Sequence, residues 1–142
     1  MTKYSPTITS SLKKFITDFY LTSDVAPPAA LTETRDPYLN FFTEDAPLIM
    51  GSTRVKGHNE IIELRKGMWK VVTKRHHVVE NVASVEDNNT LLINGYVDYT
   101  LINGKSITSE WAARMHLTKD LKMEFYQVYL DPSLTAKALA ED

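Results

Sequence analysis

The spacing of apolar positions divides the chain into a helical first half and an alternating second half. Leu12, Phe15, Ile16 and Phe19 recur at helical spacing, with Thr9 or Ser10 placed to accept from the first free N–H groups. Ala26-Pro27-Pro28-Ala29-Ala30 breaks this helix. Asp36-Pro37 then supplies a cap and a first-turn proline for a short helix through Tyr38, Leu39, Phe41 and Phe42. Residues 46–50 and 54–56 read as short strands around a Gly51-Ser52 turn. A third helix is expected over 59–73, burying Ile61, Leu64, Met68 and Val72, with Ile62 and Trp69 widening the stripe.

Beyond that helix the period changes to two. Strands are expected over 75–86, from 90 to the turn at Asn103-Gly104, from there to 117, and over 123–130, with further turns at Asp87-Asn88-Asn89 and Asp120-Leu121. Asn103-Gly104 between two alternating runs is a strong hairpin signal. Taken as the two turn residues, they set Tyr96 opposite Trp111, Asn94 opposite Ala113 and Leu92 opposite Met115. One face then carries Asn94, Tyr96, Asp98, Trp111 and Met115, joined by His77, Val79 and Asn81 if Asn88-Asn89 form the preceding turn, and by Tyr126 and Val128 from the last strand. This mixture of polar and apolar groups suits a pocket wall. The other face shows Leu91, Ile93, Val97 and Tyr99 against Glu110, Ala112, Arg114 and His116, and reads as partner-facing. Asp131-Pro132 ends the sheet, and 132–142 is a tail or short helix.

A chain of 142 residues with 43% hydrophobic content is expected to form a single domain, its core at about 8–131. A formal charge of -2 without a Lys/Arg run argues against nucleic acid. No apolar run approaches the roughly 20 residues of a spanning helix, and Lys13 and Lys14 fall inside an amphipathic pattern, so no membrane role is expected and a cytoplasmic location is. Zero cysteines exclude disulfides, thiolate nucleophiles and sulfur ligands. His76 and His77 leave a strand on opposite faces, and His58 and His116 lack acidic partners at ligand spacing, so no metal is expected. Gly51-Ser52-Thr53-Arg54 lacks the P-loop lysine, and no nucleophile elbow occurs; no cofactor is expected either.

The chemistry-bearing candidates cluster on the pocket face. In that register Asp98 faces Val79 and is the diagonal neighbour of His77, where a carboxylate would orient the imidazole and raise its pKa, making His77 an acid/base group. Tyr96, Asn94 and Asn81 are donors for an oxygen that gains charge, and Trp111, Met115 and Tyr126 are apolar walls for a small-molecule substrate or ligand. Tyr38 and Trp69 reach in from the helices, and Arg35 stands at the mouth as a clamp for an acidic group. The same polar residues would equally form a satisfied network that holds the sheet.

The order of elements, with Phe41-Phe42-Thr43-Glu44-Asp45-Ala46, Gly57 followed by Ile61, His77-Val78-Val79-Glu80-Asn81 and Tyr129-Leu130-Asp131, resembles the nuclear transport factor 2-like superfamily, in its SnoaL-like branch. The resemblance implies an α+β barrel, a cone-shaped curved antiparallel sheet packed on three N-terminal helices, with a pocket inside the cone and a homodimer through the outer sheet face. It implies a cofactor-independent isomerase, dehydratase or polyketide cyclase of secondary metabolism, or a non-catalytic ligand-binding or interaction module; an epoxide hydrolase ranks lower. His77 matches one histidine of scytalone dehydratases, but Trp111 stands where their second falls. The base, tyrosine and acid of ketosteroid isomerases fall at Ile49-Met50, Phe15 and Ala113, and the polyketide cyclase aspartate near Val128.

Overall fold

The hairpin around Asn103-Gly104 forms one residue out of the expected register. In the computed structural model, which describes residues 1–29, 35–85 and 89–141, strands β5 (Thr90–Leu101) and β6 (Ser106–Leu117) pair with Gly95 opposite Trp111, Tyr96 opposite Glu110 and Leu91 opposite Met115. The connection is a three-residue loop. Gly104 N–H donates to Leu101 O at 2.9 Å, Leu101 N–H donates to Lys105 O at 2.8 Å, and Gly104 takes φ +85° as the left-handed residue that follows the turn. Because side chains alternate with period two, this slip turns all of β5 over. Leu91, Ile93, Val97 and Leu101 are buried on the concave face, while Leu92, Asn94, Tyr96 and Asp98 go to the convex one. On β6, Ser109, Trp111, Ala113 and Met115 face inward as expected.

The neighbouring strand β4 (Val72–Val85) carries a bulge that changes its inward set halfway along. Val79 pairs with Gly95 and Asn81 with Asn94, so Glu80 is the extra residue. Before it Arg75, His77 and Val79 turn inward; after it Val82 does, and Asn81 is exposed. Gly95 fits the bulge because a Cβ there would stand 2.0 Å from the Val78 carbonyl oxygen. Of the expected Asp87-Asn88-Asn89 turn, Asp87 and Asn88 lie outside the described residues.

The sheet has the order β1-β4-β5-β6-β7-β2-β3, with β1 at Lys3–Tyr4, β2 at Pro47–Met50, β3 at Thr53–Lys56 and β7 at Met123–Leu130. It is curved, as the α+β cone requires, but it is mixed and open instead of an antiparallel barrel: β1 runs parallel to β4, and β2 parallel to β7. Its concave side holds α1 (Ser10–Ser23), capped by Thr9, whose Oγ1 accepts from Leu12 N–H at 3.2 Å. A 3-10 turn at Pro37–Phe41 follows, with Asp36 accepting from Tyr38 N–H at 3.0 Å. Helix α2 (His58–Trp69) is shorter than expected; Val72 continues the helical spacing but opens β4. Phe19, fully buried, centres an aromatic core of Phe15, Tyr38, Phe41, Phe42 and Tyr126. The tail forms α3 (Ser133–Ala140), resting Ala138 on Val72 and Leu101.

One charged side chain ties the helical layer together. Arg65, 4% exposed on α2, donates from Nε to Asp36 Oδ2 at 2.8 Å and from its terminal nitrogens to the carbonyls of Thr22, Ser23 and Val25, with its guanidinium 4.5 Å over the Tyr38 ring. It thereby donates to carbonyls at and just beyond the C-terminal end of α1 and locks the cap of the 3-10 turn. No described helix is long and apolar enough to cross a membrane.

Candidate active site

Tyr20 and Asp24 lie four residues apart on α1 and its C-cap, so both project from one face of the helix toward the sheet. Opposite them, His77 points inward from β4 on the Arg75 side of the bulge. The Asp24 carboxylate accepts the His77 backbone N–H at 3.0 and 3.2 Å and meets His77 Nδ1 at 2.5 Å. A carboxylate only accepts, so Nδ1 carries the proton and the lone pair of the neutral imidazole sits on Nε2. The ring is fixed further by Tyr20, at 5.2 Å between centroids, and by the edge of Trp111 at 5.6 Å.

His77 lines an interior cavity of about 40 Å³ with Arg75, Tyr38, Tyr99, Trp111 and Tyr126. Beside it runs an open groove of about 640 Å³, bordered by Asp24, Trp69, Arg75 and Tyr99 and by convex-side residues that include His76 and Asp98. Arg75 and Tyr99 belong to both, and form the partition between them. The dyad bridges the same wall, with Asp24 on the groove and His77 on the cavity.

Burial governs the protonation states. It pulls the His77 pKa below the usual 6.5, and the Asp24 carboxylate offsets this only in part, which overturns the expectation that a carboxylate neighbour leaves the pKa raised. Burial also pushes Tyr38 up to about 12 and raises Tyr20 and Tyr126, whose hydroxyls lie 3.0 Å apart, so these phenols remain O–H donors at neutral pH. The Arg75 guanidinium is drawn below its ordinary value by the same burial.

A depressed histidine pKa makes stability depend on pH in a defined direction. The unfolded chain binds the proton more tightly, so the contribution is fully present above about pH 6.5 and is lost as pH falls through the lower folded value. Urea midpoints should therefore fall between about pH 7.5 and pH 5 by more in the native protein than in His77→Gln. A difference of zero would contradict the buried neutral imidazole.

Several expected site residues are placed elsewhere. Asp98, Tyr96 and Asn94 stand on the convex side because of the hairpin slip, Asp98 opposite His76 and accepting from Thr108 Oγ1 at 2.6 Å. Asn81 joins them because of the bulge. Arg35 is exposed and donates to His58 Nδ1 at 3.0 Å, and it borders neither the cavity nor the groove. Met115 faces inward but is fully buried in the core. His77, Trp111, Tyr126 and Tyr38 do line the cavity, and Trp69 borders the groove. The sequence pattern does not single out Asp24 or Arg75; their one signal is positional, Asp24 four residues after Tyr20 on the helix and Arg75 two before His77 on the strand. Tyr99, expected on the outer face, turns inward with its strand and lines the cavity. Among the described residues, no group of three or more His, Asp or Glu side chains converges in a metal-holding arrangement.

No protein-family model matches the sequence, and no curated protein matches it. Solved structures do match the fold. An NTF2-like protein of unknown function from Burkholderia pseudomallei superposes with a TM-score of 0.74 at 13% identity, covering 94% of this chain and 100% of that one. A SnoaL-like protein assigned as a polyketide cyclase, from a Jannaschia species, gives 0.72 at 16% identity over 97% and 96%. The epoxide hydrolase/cyclase-like enzyme SalBIII, with a role in pyran ring formation in the polyether salinomycin, gives 0.67 at 15% over 85% and 91%. With its helices in the hollow of a curved sheet, the chain has the nuclear transport factor 2-like fold, and SnoaL-like proteins are among its structural neighbours.

Proposed function

We propose that the protein performs cofactor-independent proton transfer on a small oxygenated molecule, as an isomerase, dehydratase or cyclase, with His77 as the acid/base group. The observation that carries this reading is the His77–Asp24 contact on the cavity wall, which leaves Nε2 as a base in its neutral state. In such a step Nε2 takes a proton from a carbon next to a carbonyl, the electron pair moves onto the carbonyl oxygen, and Asp24 stabilises the imidazolium. Trp111 Nε1–H, buried with no acceptor among the described residues, and the protonated Tyr38 are donors for that oxygen. Tyr96 and Asn94 are released from this role by their position on the convex side. The ring-forming neighbour supports chemistry on oxygenated substrates within this fold. An epoxide hydrolase would need paired carboxylates around a water, and Asp98 lies on the opposite side of the sheet from His77.

A second reading rests on the cavity size. About 40 Å³ holds a water or two, far less than a drug-sized ligand fills, and Asp24 binds the His77 main chain as well as its ring. On that reading the dyad is a clamp between α1 and β4, in a binding or interaction module. Deuterium exchange separates the two. Acetophenone, phenylacetone and benzoylacetone are incubated with the protein in D2O and followed by proton NMR. The catalytic reading expects exchange next to the carbonyl that His77→Gln abolishes; exchange at the buffer rate for every probe assigns the clamp.

A further inference from the structure

Arg75 is the buried charge that the acid/base reading does not use. It is 8% exposed, its Nε has no hydrogen-bond partner, and no ion pair joins it to a described carboxylate. The other buried arginine, Arg65 on α2, satisfies its fork with Asp36 and three carbonyls. Around Arg75 stand aromatic faces instead: its guanidinium carbon lies 4.9 Å from the Trp69 ring centroid and 5.5 Å from that of Tyr99. Rings hold a guanidinium in place through its charge but accept few of its N–H bonds. Two further donors, Trp69 Nε1 on the groove side of that partition and Trp111 Nε1 on the cavity side, are also buried without acceptors. A buried cation among orphan donors, at the partition between the groove and the cavity, is a site prepared for acceptor oxygens that carry negative charge.

We propose that Arg75 anchors a substrate carboxylate, so that the molecule handled by His77 is a small oxo-acid whose acid group sits on the guanidinium. The fork geometry of arginine matches the two oxygens of a carboxylate. Arg75 and His77 are two residues apart on one face of β4, a separation of roughly 7 Å along the strand, which a carboxylate a few bonds from a carbonyl spans. The groove gives such a molecule its approach. The assignment of the acid group stands on Arg75 alone; its description as a substrate rests on the acid/base reading above.

Levulinate and methyl levulinate, which differ in charge and share the ketone, are titrated against the labelled protein by proton–nitrogen NMR, and exchange next to the ketone is followed in D2O. Levulinate should bind roughly tenfold or more tighter than its ester, Arg75→Gln should erase that preference, and Arg75→Lys should keep part of it. His77→Gln should keep the preference and lose exchange. Equal binding of acid and ester, no binding of levulinate at millimolar concentration, or a preference that survives Arg75→Gln would overturn the anchor. Preference without exchange would leave the anchor standing and remove the acid/base reading; exchange without preference would do the reverse. If Arg75→Gln does not fold, the acid-against-ester comparison in the native protein and in Arg75→Lys decides.

Discussion

Arg65→Met is expected to lower the unfolding free energy by about 3–5 kcal/mol, the range for breaking one side of a buried ion pair. Both partners are 4% exposed, so the Asp36 carboxylate would remain in the interior with the Tyr38 N–H as its remaining described donor. The carbonyls of Thr22, Ser23 and Val25 would lose the arginine donor too, Thr22 O keeping the Val25 N–H at 3.2 Å. Screening decides why this pair matters and another does not. Lys14–Asp18 is shorter, at 2.5 Å, but its side chains are 76% and 43% exposed, and Lys14→Ala should change stability by less than about 0.5 kcal/mol. Urea unfolding of the two variants checks both numbers. A loss under about 1 kcal/mol for Arg65→Met would show that Arg65 is not the tie between α1, the 3-10 turn and α2. The effect reaches the site as well, because Arg65 holds the end of α1 from which Asp24 projects.

His77→Gln is expected to reduce exchange next to the ketone by roughly a hundred- to ten-thousand-fold, the usual contribution of a positioned acid or base. Glutamine keeps a polar group near the ring position and allows the fold to stand, since the Asp24 bonds to the main-chain N–H of residue 77 do not need the imidazole. Asp24→Asn acts through His77, so it should weaken exchange while the protein still binds probes. A lowered pKa favours the base form at neutral pH but makes the imidazolium harder to form; the carboxylate at 2.5 Å counters that second effect. Equal exchange in native protein and His77→Gln would remove the histidine from the chemistry.

Local signals in the sequence predict their own structures and distant pairings escape them, for physical reasons. Thr9 and Asp36 cap where their spacing to the following apolar residues says they should, because a cap depends on its own next three residues. His77, Trp111 and Tyr126 face the cavity because alternation along each strand is intrinsic. Pairing between strands is not. Asn-Gly serves two-residue loops and three-residue loops alike: the two-residue register puts Asp98, Tyr96 and Asn94 on the concave side, and the three-residue loop that forms puts them on the convex side. The bulge at Glu80 left a trace, since Gly95 inside an otherwise bulky strand marks a close backbone approach. The true partner of His77 came from helix α1, 53 positions away, and no strand register can reveal a helix residue. Resemblance to the nuclear transport factor 2-like superfamily placed the helices in the hollow of the sheet, which is where Asp24 is found.

The most direct test of the His77–Asp24 dyad is a nitrogen-15 NMR pH titration of the histidine rings in the native protein and in Asp24→Asn. The account predicts that His77 titrates below the usual 6.5, with the Nδ1–H tautomer above its pKa, and that Asp24→Asn moves it lower still by removing the carboxylate that favours the charged form. A His77 that titrates near 6.5 and does not respond to Asp24→Asn would contradict the dyad and the function built on it.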